Sequence, residues 1–387
     1  MSTIPDRAAS PQSAEPAEPA EITDHLLQDT DRPGSSATRT VKQMAETYWI
    51  LALSCAALIF DGYDIVVYGT IVSRLLKDPS KLGSLNAAQA GTIGSYALIG
   101  VMIGALAAGA VGDHIGRRKI VLGSIAWFSI GMALTAVSMN FTYFGAMRLL
   151  TGIGLGALLA TLGAVVAEFA PIDKKNLFNA LVYSGIPAGG VLASIIALVA
   201  LPIVGWRGLF WIGALPLVIL LPFAWKKIPE SPKWLEAKGR HEEAQRVAER
   251  TGVALDGAPA RSSSATGSTG SIESAPVAPQ AVERVGFRGL FTGSYLVPTI
   301  LLGFMSFSGL LLTYGLNTWL PRIMESFGFN ATYSLTFLLL LNTGAVIGGL
   351  VIAALAGPTA TAATAFYVFA GVAVFGALVC ALVPKHD

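Results

Sequence analysis

Long runs of apolar residues, separated by short polar stretches, dominate the chain from about residue 48 onward. Each run is about as long as a helix needs to be to cross ~30 Å of hydrocarbon, and none shows the period-two alternation of barrel strands. The pattern therefore predicts an all-α polytopic membrane protein with about nine spans. The predicted spans are 48 to 72, 88 to 111, 119 to 139, 141 to 169, 177 to 201, 206 to 225, 294 to 319, 332 to 356 and 361 to 383.

Two polar regions divide the chain. The first, which comprises about the first forty residues, is rich in Ala, Pro, Ser and acidic residues, a composition typical of disorder. In the second, Ser231 is expected to cap an amphipathic surface helix that continues through Arg250 and is followed by a flexible Ser/Gly stretch. The predicted parts are a disordered cytoplasmic tail (1–46), an N-terminal six-helix bundle (47–226), a cytoplasmic linker (227–293) and a partial C-terminal bundle of three spans (294–387).

Composition supports the membrane assignment, and the basic loops predict an orientation. With 53% hydrophobic and 13% charged residues, the chain is too apolar for a soluble globular protein. The loops "GDHIGRRK" and "PIDKKN" and the basic segment 226 to 250 fall on the same side as the N-terminus, which predicts that this side is cytoplasmic in a multi-pass cell-membrane protein. Arg74, Lys77 and Lys81 on the opposite side argue against this, but they are outweighed.

Several function classes find no support in the residues. Nothing resembles a nucleophile–base set, a metal cluster or a phosphate-binding loop, so we expect neither an enzyme nor a bound cofactor or metal. The charge pattern gives no support for nucleic-acid binding. Cys55 and Cys380 both lie within apolar runs and are interpreted as small hydrophobic residues.

Two acids stand inside the first apolar run, in "LIFDGYDIVVYG". Asp61 and Asp64 are three residues apart and so lie on nearly the same helix face. Exposing each to lipid would cost at least ~2.5 kcal/mol, so such groups usually face a cavity or a partner. By helical rise, Asp61 lies roughly 20 Å into span one and Arg148 roughly 11 Å into span four from the other side. The three charges are therefore expected to share one layer.

The loop after span two carries a specific motif, "GAVGDHIGRRK". With six spans, a long linker and further spans, this motif resembles the signature of the major facilitator superfamily. The turn places an acid and three bases at helix ends, where they can pair across a gate or with helix dipoles. Candidate gating residues are Asp113, Gly116, Arg117 and Arg118. His114 departs from the basic residue usual after the aspartate.

Within that superfamily, "DGYD" in span one is similar to the signature of the aromatic acid/proton symporters, and "ESPKWL" after span six also fits. The resemblance covers about residues 42 to 356. It implies import of an aromatic carboxylate, of the benzoate or 4-hydroxybenzoate type, driven by protons. A porter of another organic anion is an alternative within the same class.

A mechanism follows as a hypothesis. One of Asp61 and Asp64 takes the proton, and Arg148 either pairs with the other aspartate or receives the substrate carboxylate. Two nearby acids are expected to titrate as a coupled pair. The alternative is that Arg148 and an aspartate merely lock spans one and four together.

Three further residues have candidate roles. Glu168 lies ~30 Å beyond Arg148 along the same helix, near Arg117 and Arg118 at the cytoplasmic end. It is either a solvated helix-end acid or a gate residue, and the resemblance, in which this Arg and Glu recur, favours the gate. Tyr314 and Asn317 in span seven are i, i+3 and could face a central cavity as substrate contacts, although aromatic residues in membrane helices more often serve packing.

The C-terminal end departs from the family pattern. Twelve spans are expected, yet "GPTATAATA" (357–365) stands where a second signature loop should be, and the run after it resembles the final span. Spans nine to eleven are therefore expected to be missing. The alternative function is consequently an internally deleted, non-transporting membrane remnant of such a transporter, since alternating access requires both halves.

Overall fold

The computed structural model describes residues 40–78, 82–171, 174–253, 255 and 296–355. Regular structure in these residues is helical, with no strand. The helices are α1 (Val41–Lys77), α2 (Ala87–Ile115), α3 (Arg117–Ala136), α4 (Phe141–Phe169), α5 (Lys175–Tyr183), α6 (Gly185–Gly213), a short 3₁₀ helix (Leu215–Leu217), α7 (Leu220–Lys227), α8 (Pro232–Ala237), α9 (His241–Thr251), α10 (Leu296–Ser326) and α11 (Ala331–Leu355).

Local sequence explains where several helices begin and end. Asn86 and Gln89 form a reciprocal capping box at the start of α2, so two backbone N–H groups that lack helical partners are bonded there. Asn140 caps α4 by accepting from the Tyr143 N–H at 2.8 Å. Gly116 separates α2 from α3 with φ 98° and ψ 151°, a conformation that favours glycine.

Seven helical segments in the described residues are long and apolar enough to cross a membrane. One of them, Lys175–Lys227, contains 53 residues and covers the predicted fifth and sixth spans. It is interrupted at Gly205, whose φ of 67° and ψ of −177° are not helical. The predicted number of nine spans is not confirmed, and the expected final span at 361 to 383 lies outside the described residues.

Helices α2 and α4 form the closest pair in the bundle. Gly100 and Gly104 of α2 face Gly152 and Gly156 of α4, and a Cβ at any of the four positions would meet backbone atoms of the other helix. Small residues at this spacing let helix backbones approach closely, which gives dispersion contacts that lipid cannot replace. The two helices are therefore held together by close backbone packing. Helix α3 packs against α4 beside them.

Helix α1 runs through the centre and contacts both α6 and α10. Gly62 lies against the Ile186 backbone, and Gly189 lies against that of Ile59, so α1 and α6 also touch through glycine. An aromatic cluster closes the space beside them, with edge-to-face ring pairs between Phe144 and Phe210 at 5.5 Å. This packing fixes the rotation of α1 and thus the direction of its polar residues.

The segment after the sixth predicted span forms two helices where one was predicted. Ser231 is the N-cap of α8, accepting from the Trp234 N–H, as its sequence context predicts. The helix then stops, because Gly239 adopts φ 74° and reverses the chain before α9 begins. Helix α9 docks on the start of α1, where Arg250 pairs with Glu46 at 2.8 Å.

Candidate functional site

Asp64 and Arg148 form an ion pair in the interior of the bundle. The Arg148 Nη1 donates to Oδ1 of Asp64 at 2.5 Å, and its Nη2 lies 3.4 Å from the backbone carbonyl oxygen of the same residue. Both side chains are only 2% exposed. The structure thus brings together one acid of span one and the base of span four.

Arg148 retains one hydrogen-bond donor that the described residues do not use. Its Nε is buried and has no hydrogen-bond partner among the residues the structure describes. The guanidinium lies 5.6 Å from the ring centroid of Tyr68, which is within cation–π range. The Tyr68 hydroxyl donates to the Ala90 carbonyl at 2.7 Å and so fixes that ring. The arginine is therefore held on two sides, while its buried Nε has no hydrogen-bond partner in the described part of the chain.

Asp61 lies one turn before Asp64 but in a different environment. It is 3% exposed and forms no hydrogen bond or ion pair with any residue in the described ranges. It is close enough to Asp64 and to Tyr314 to interact with both electrostatically. The two acids are therefore distinct, one paired with a base and the other buried without one.

A cavity of about 710 Å³ adjoins the ion pair. It lies between α1, α2, α4 and α10, and Asp64 and Arg148 form part of its wall. Most of the lining is apolar or aromatic, which is typical of pockets that bind small molecules in the range ~300–1,000 Å³. Polar or aromatic residues that line it include Tyr68, Ser95, Phe307, Tyr314, Thr318 and Trp319.

Tyr314 and Asn317, the two residues of span seven that are predicted to contact substrate, lie in different places. Tyr314 lines the cavity. Asn317 does not: it is buried, its Oδ1 accepts from the Asn342 Nδ2 at 2.8 Å, and its Nδ2 donates to the Thr313 carbonyl at 2.9 Å. The structure thus places Tyr314 with the ion pair and Asn317 in the packing between α10 and α11.

A second polar cluster surrounds the turn between α2 and α3. Arg117 forms an ion pair with Glu168 at the end of α4. The sequence predicts that the two residues lie near each other, because helical rise places Glu168 at the same end of the bundle as Arg117. The Glu168 carboxylate also accepts from the Ser231 hydroxyl at 2.6 Å and from the Lys233 N–H at 3.2 Å. The cluster thus ties the motif loop, α4 and the segment after α7 together. Asp113 lies in α2, and its side chain is outside the described residues.

Glu230 completes this cluster and was not among the predicted site residues. Its carboxylate accepts from the backbone N–H groups of Arg118 at 3.0 Å and Ser231 at 3.1 Å. It also lies directly against Gly116, where any side chain would collide with it. Arg118 in turn donates to the Trp225 carbonyl at 2.6 Å. The available signal was the motif "ESPKWL", whose first residue is Glu230.

The chain is similar in sequence to known membrane transporters. Residues 44–385 match the family model of the Major Facilitator Superfamily. The chain is 36% identical over 299 residues to the gentisate transporter of Corynebacterium glutamicum, covering 76% of this chain and 58% of that protein. It is 33% identical over 309 residues to the benzoate transport protein of Acinetobacter baylyi, covering 78% of this chain and 63% of that protein. The chain thus spans less than two thirds of the length of these relatives.

Among solved structures, the chain resembles the proton:xylose symporter XylE, with a TM-score of 0.62 and 19% sequence identity. The match covers 82% of this chain and 70% of that one. At this identity the likeness concerns the fold alone. It agrees with the all-helical architecture of the described residues.

Proposed function

This chain belongs to the Major Facilitator Superfamily, a family of membrane transporters and not of enzymes, and we propose that it imports an aromatic carboxylate together with protons. One observation carries the proposal. A buried Asp64–Arg148 pair with an unused Nε faces a largely apolar cavity, while a second buried acid, Asp61, has no basic partner in the described part of the chain. This arrangement suits an anion with an aromatic ring and a separate proton.

The carboxylate of the substrate is proposed to bind at Arg148. Arginine recognises carboxylates through its planar fork, and a charge-assisted hydrogen bond in a site shielded from water is strong. The Nε of Arg148 offers a donor that no described residue uses, and the cavity wall beside it is aromatic and aliphatic. The ring of a benzoate-type substrate would then lie against α10, near Tyr314.

The proton is proposed to bind at Asp61. Protonation of Asp64 would leave the buried Arg148 without a counter-charge, whereas protonation of Asp61 removes a buried charge that no described base compensates. Asp61 also lies near Tyr314, so its charge is sensed at the cavity wall. The two acids then have different roles: Asp64 positions Arg148, and Asp61 binds the proton.

The orientation is proposed from the loops. Arg118 contacts α7, and the end of α7 and the residues that follow it contact the start of α1, so these basic segments lie at the same end of the bundle. Basic loops favour the cytoplasm. Residues Asp113, Gly116, Arg117, Arg118 and Glu168 are accordingly proposed to form a cytoplasmic gate. The membrane would be the cell membrane.

Uptake of labelled benzoate and 4-hydroxybenzoate into cells that express this chain tests the proposal. We expect accumulation that a protonophore abolishes. Asp61→Asn should lose proton-driven accumulation but still exchange external for internal substrate, because exchange requires no net proton movement. Competition by gentisate and by non-aromatic acids would define the substrate class.

Two results would contradict the proposal. If membrane insertion is normal and no labelled acid accumulates, the chain is the non-transporting remnant that the sequence allows. If Asp61→Asn accumulates substrate like the parent chain, the proton is carried elsewhere. Glu243→Gln is a suitable control, since this exposed glutamate of α9 pairs with Arg240, the residue just before that helix, and neither lines the cavity.

A further inference from the structure

The two ends of α10 differ in their surroundings. Its first half, which includes Phe304 and Leu311, is exposed on nearly every described residue, and Phe304 is 68% exposed. Its second half packs on the bundle, where the Asn317 backbone lies against Gly69 of α1 and Trp319 lies beside Gly91 of α2. The cavity is lined by α10 residues from Phe307 to Trp319. Beyond it, Ser73 and Glu325 join the two helices at the end where α1 and α10 both finish, which we name the distal end.

A polar cluster joins the two helices at the distal end. Glu325 of α10 accepts a hydrogen bond from the Ser73 hydroxyl and one at 2.6 Å from the Lys77 Nζ, both from α1. Arg322 lies 3.9 Å from the same carboxylate oxygen. The Glu325 side chain is only 10% exposed, whereas that of Lys77 is 60% exposed. The acid is thus anchored on the inside by a buried hydroxyl and on the outside by a lysine.

This cluster joins α1 and α10 at the distal end of the cavity, where a gate between the two helices would lie. Among the described residues, Lys77–Glu325 is the only ion pair that connects helices α1 to α9 with α10 and α11. The other contacts described above at this end, Asn317 against Gly69 and Trp319 beside Gly91, carry no charge. A half-exposed pair can exchange its partners for water, unlike the pair inside the bundle. It can therefore form and break as the halves move.

We propose that Glu325 is the positioning residue of a distal gate: its bonds to Ser73 and Lys77 hold the distal end of the cavity closed and must break before substrate can enter from that side. The inference rests on the proposed transport function, with the distal end outside the cell. Glu325 does not line the cavity, so it acts through the positions of α1 and α10 and not through contact with substrate.

The test measures access to the cavity without any substrate. In a chain with Cys55→Ser and Cys380→Ser, Thr318→Cys places one thiol in the cavity wall. A membrane-impermeant maleimide is then applied to intact cells and, separately, to inside-out vesicles. Glu325→Gln should speed labelling from outside by roughly tenfold, since an open conformer populated at about 3 per cent would then be populated at about 30 per cent. Labelling from the cytoplasmic side should slow.

Matched variants separate a gate from general loosening. Glu243→Gln removes one exposed acid of α9 and should change neither rate. The charge-swapped pair Lys77→Glu/Glu325→Lys should bring external labelling back toward the parent rate, whereas each single swap should not. A merely structural role of Glu325 would raise labelling from both sides together and would show no recovery in the swapped pair.

The outcomes are decisive for the gate. Equal external labelling in Glu325→Gln and Glu243→Gln, at equal amounts of inserted protein, overturns the proposal. If Glu325→Gln fails to insert, Ser73→Ala and Lys77→Gln decide by the same measurement. Because labelling needs no substrate, failure of the gate is distinguishable from failure of the proposed function, which the uptake of labelled benzoate reports.

Discussion

The bundle of α1 to α6 and the pair α10–α11 are both apolar, but they are packed in different ways. In the bundle, glycines such as Gly104 and Gly156 meet the backbone of a neighbouring helix. In α10 and α11, Gly303, Gly309 and Gly348 have no atom of the described residues near the position of a Cβ. Among the described residues of α10, the buried ones all lie in its second half.

This difference indicates which part of the molecule is rigid. Close backbone contacts and a buried ion pair bind the bundle helices to one another, so the bundle is expected to behave as one body. The contact between α1 and α10 is less extensive than that between α1 and α6, and the Lys77 side chain at its end is 60% exposed. A transporter that alternates its access needs both kinds of contact, one to keep the substrate site intact and one to change.

The largest effect is expected from breaking the ion pair inside the bundle. Arg148→Met leaves Asp64 as a buried charge without its partner, which typically costs ~3–5 kcal/mol. We expect a loss of about that size in the free energy of unfolding in detergent, together with loss of uptake. Denaturant unfolding of the purified chain measures the first, and labelled benzoate the second.

A double variant checks the cause. Arg148→Met/Asp64→Asn removes both charges and should recover most of the lost stability without recovering uptake. Arg246→Met is the matched control, since this arginine lies on the surface of α9 with a side chain 72% exposed. If the single and double variants are equally unstable, the loss comes from packing and not from an unpaired charge.

An intermediate effect is expected from the glycine contacts. Gly104→Ala would drive a Cβ into the Ile153 carbonyl oxygen, so α2 and α4 must separate, at a typical cost of ~1–3 kcal/mol for overpacking. Gly309→Ala in α10 meets nothing among the described residues and should be neutral or slightly stabilising. Melting temperatures of the two variants measure the contrast.

Gly109→Ala serves as a control on the same helix as Gly104. It is exposed and has no neighbour within 4 Å in the described part of the chain. If all three substitutions shift the melting temperature equally, the bundle is no more tightly packed than α10, and the comparison between the two regions fails.

Much of the candidate site could be predicted from the sequence. Intramembrane charge is costly enough to mark Asp61, Asp64 and Arg148 without any structure, and helical rise places them at one depth. Which aspartate pairs with the arginine could not be predicted, because residues three apart differ in direction by only about 60°. The rotation of α1 is set by its packing on α6, which spacing along the sequence does not reveal.

Contacts between segments that are far apart along the chain could not be predicted from the sequence. Glu230 lies 112 residues from Arg118, and Glu325 lies 248 residues from Lys77. Each acid by itself is typical of a solvated helix end. Their significance depends on which loops meet, and that depends on the helix arrangement. The break at Gly205, by contrast, falls in the predicted gap between spans 177 to 201 and 206 to 225.

The smallest effect on stability is expected at the contact between the two regions. Lys77→Gln removes the exposed partner of Glu325, and an exposed ion pair contributes only ~0.2–1 kcal/mol. Glu325 keeps its bond from Ser73, so unfolding in detergent should change little. On the same preparations, Lys77→Gln should therefore leave the free energy of unfolding nearly unchanged while it speeds labelling from outside. A loss approaching that of Arg148→Met would mean that the distal contact holds the fold together, and a contact of that strength could not open in each transport cycle.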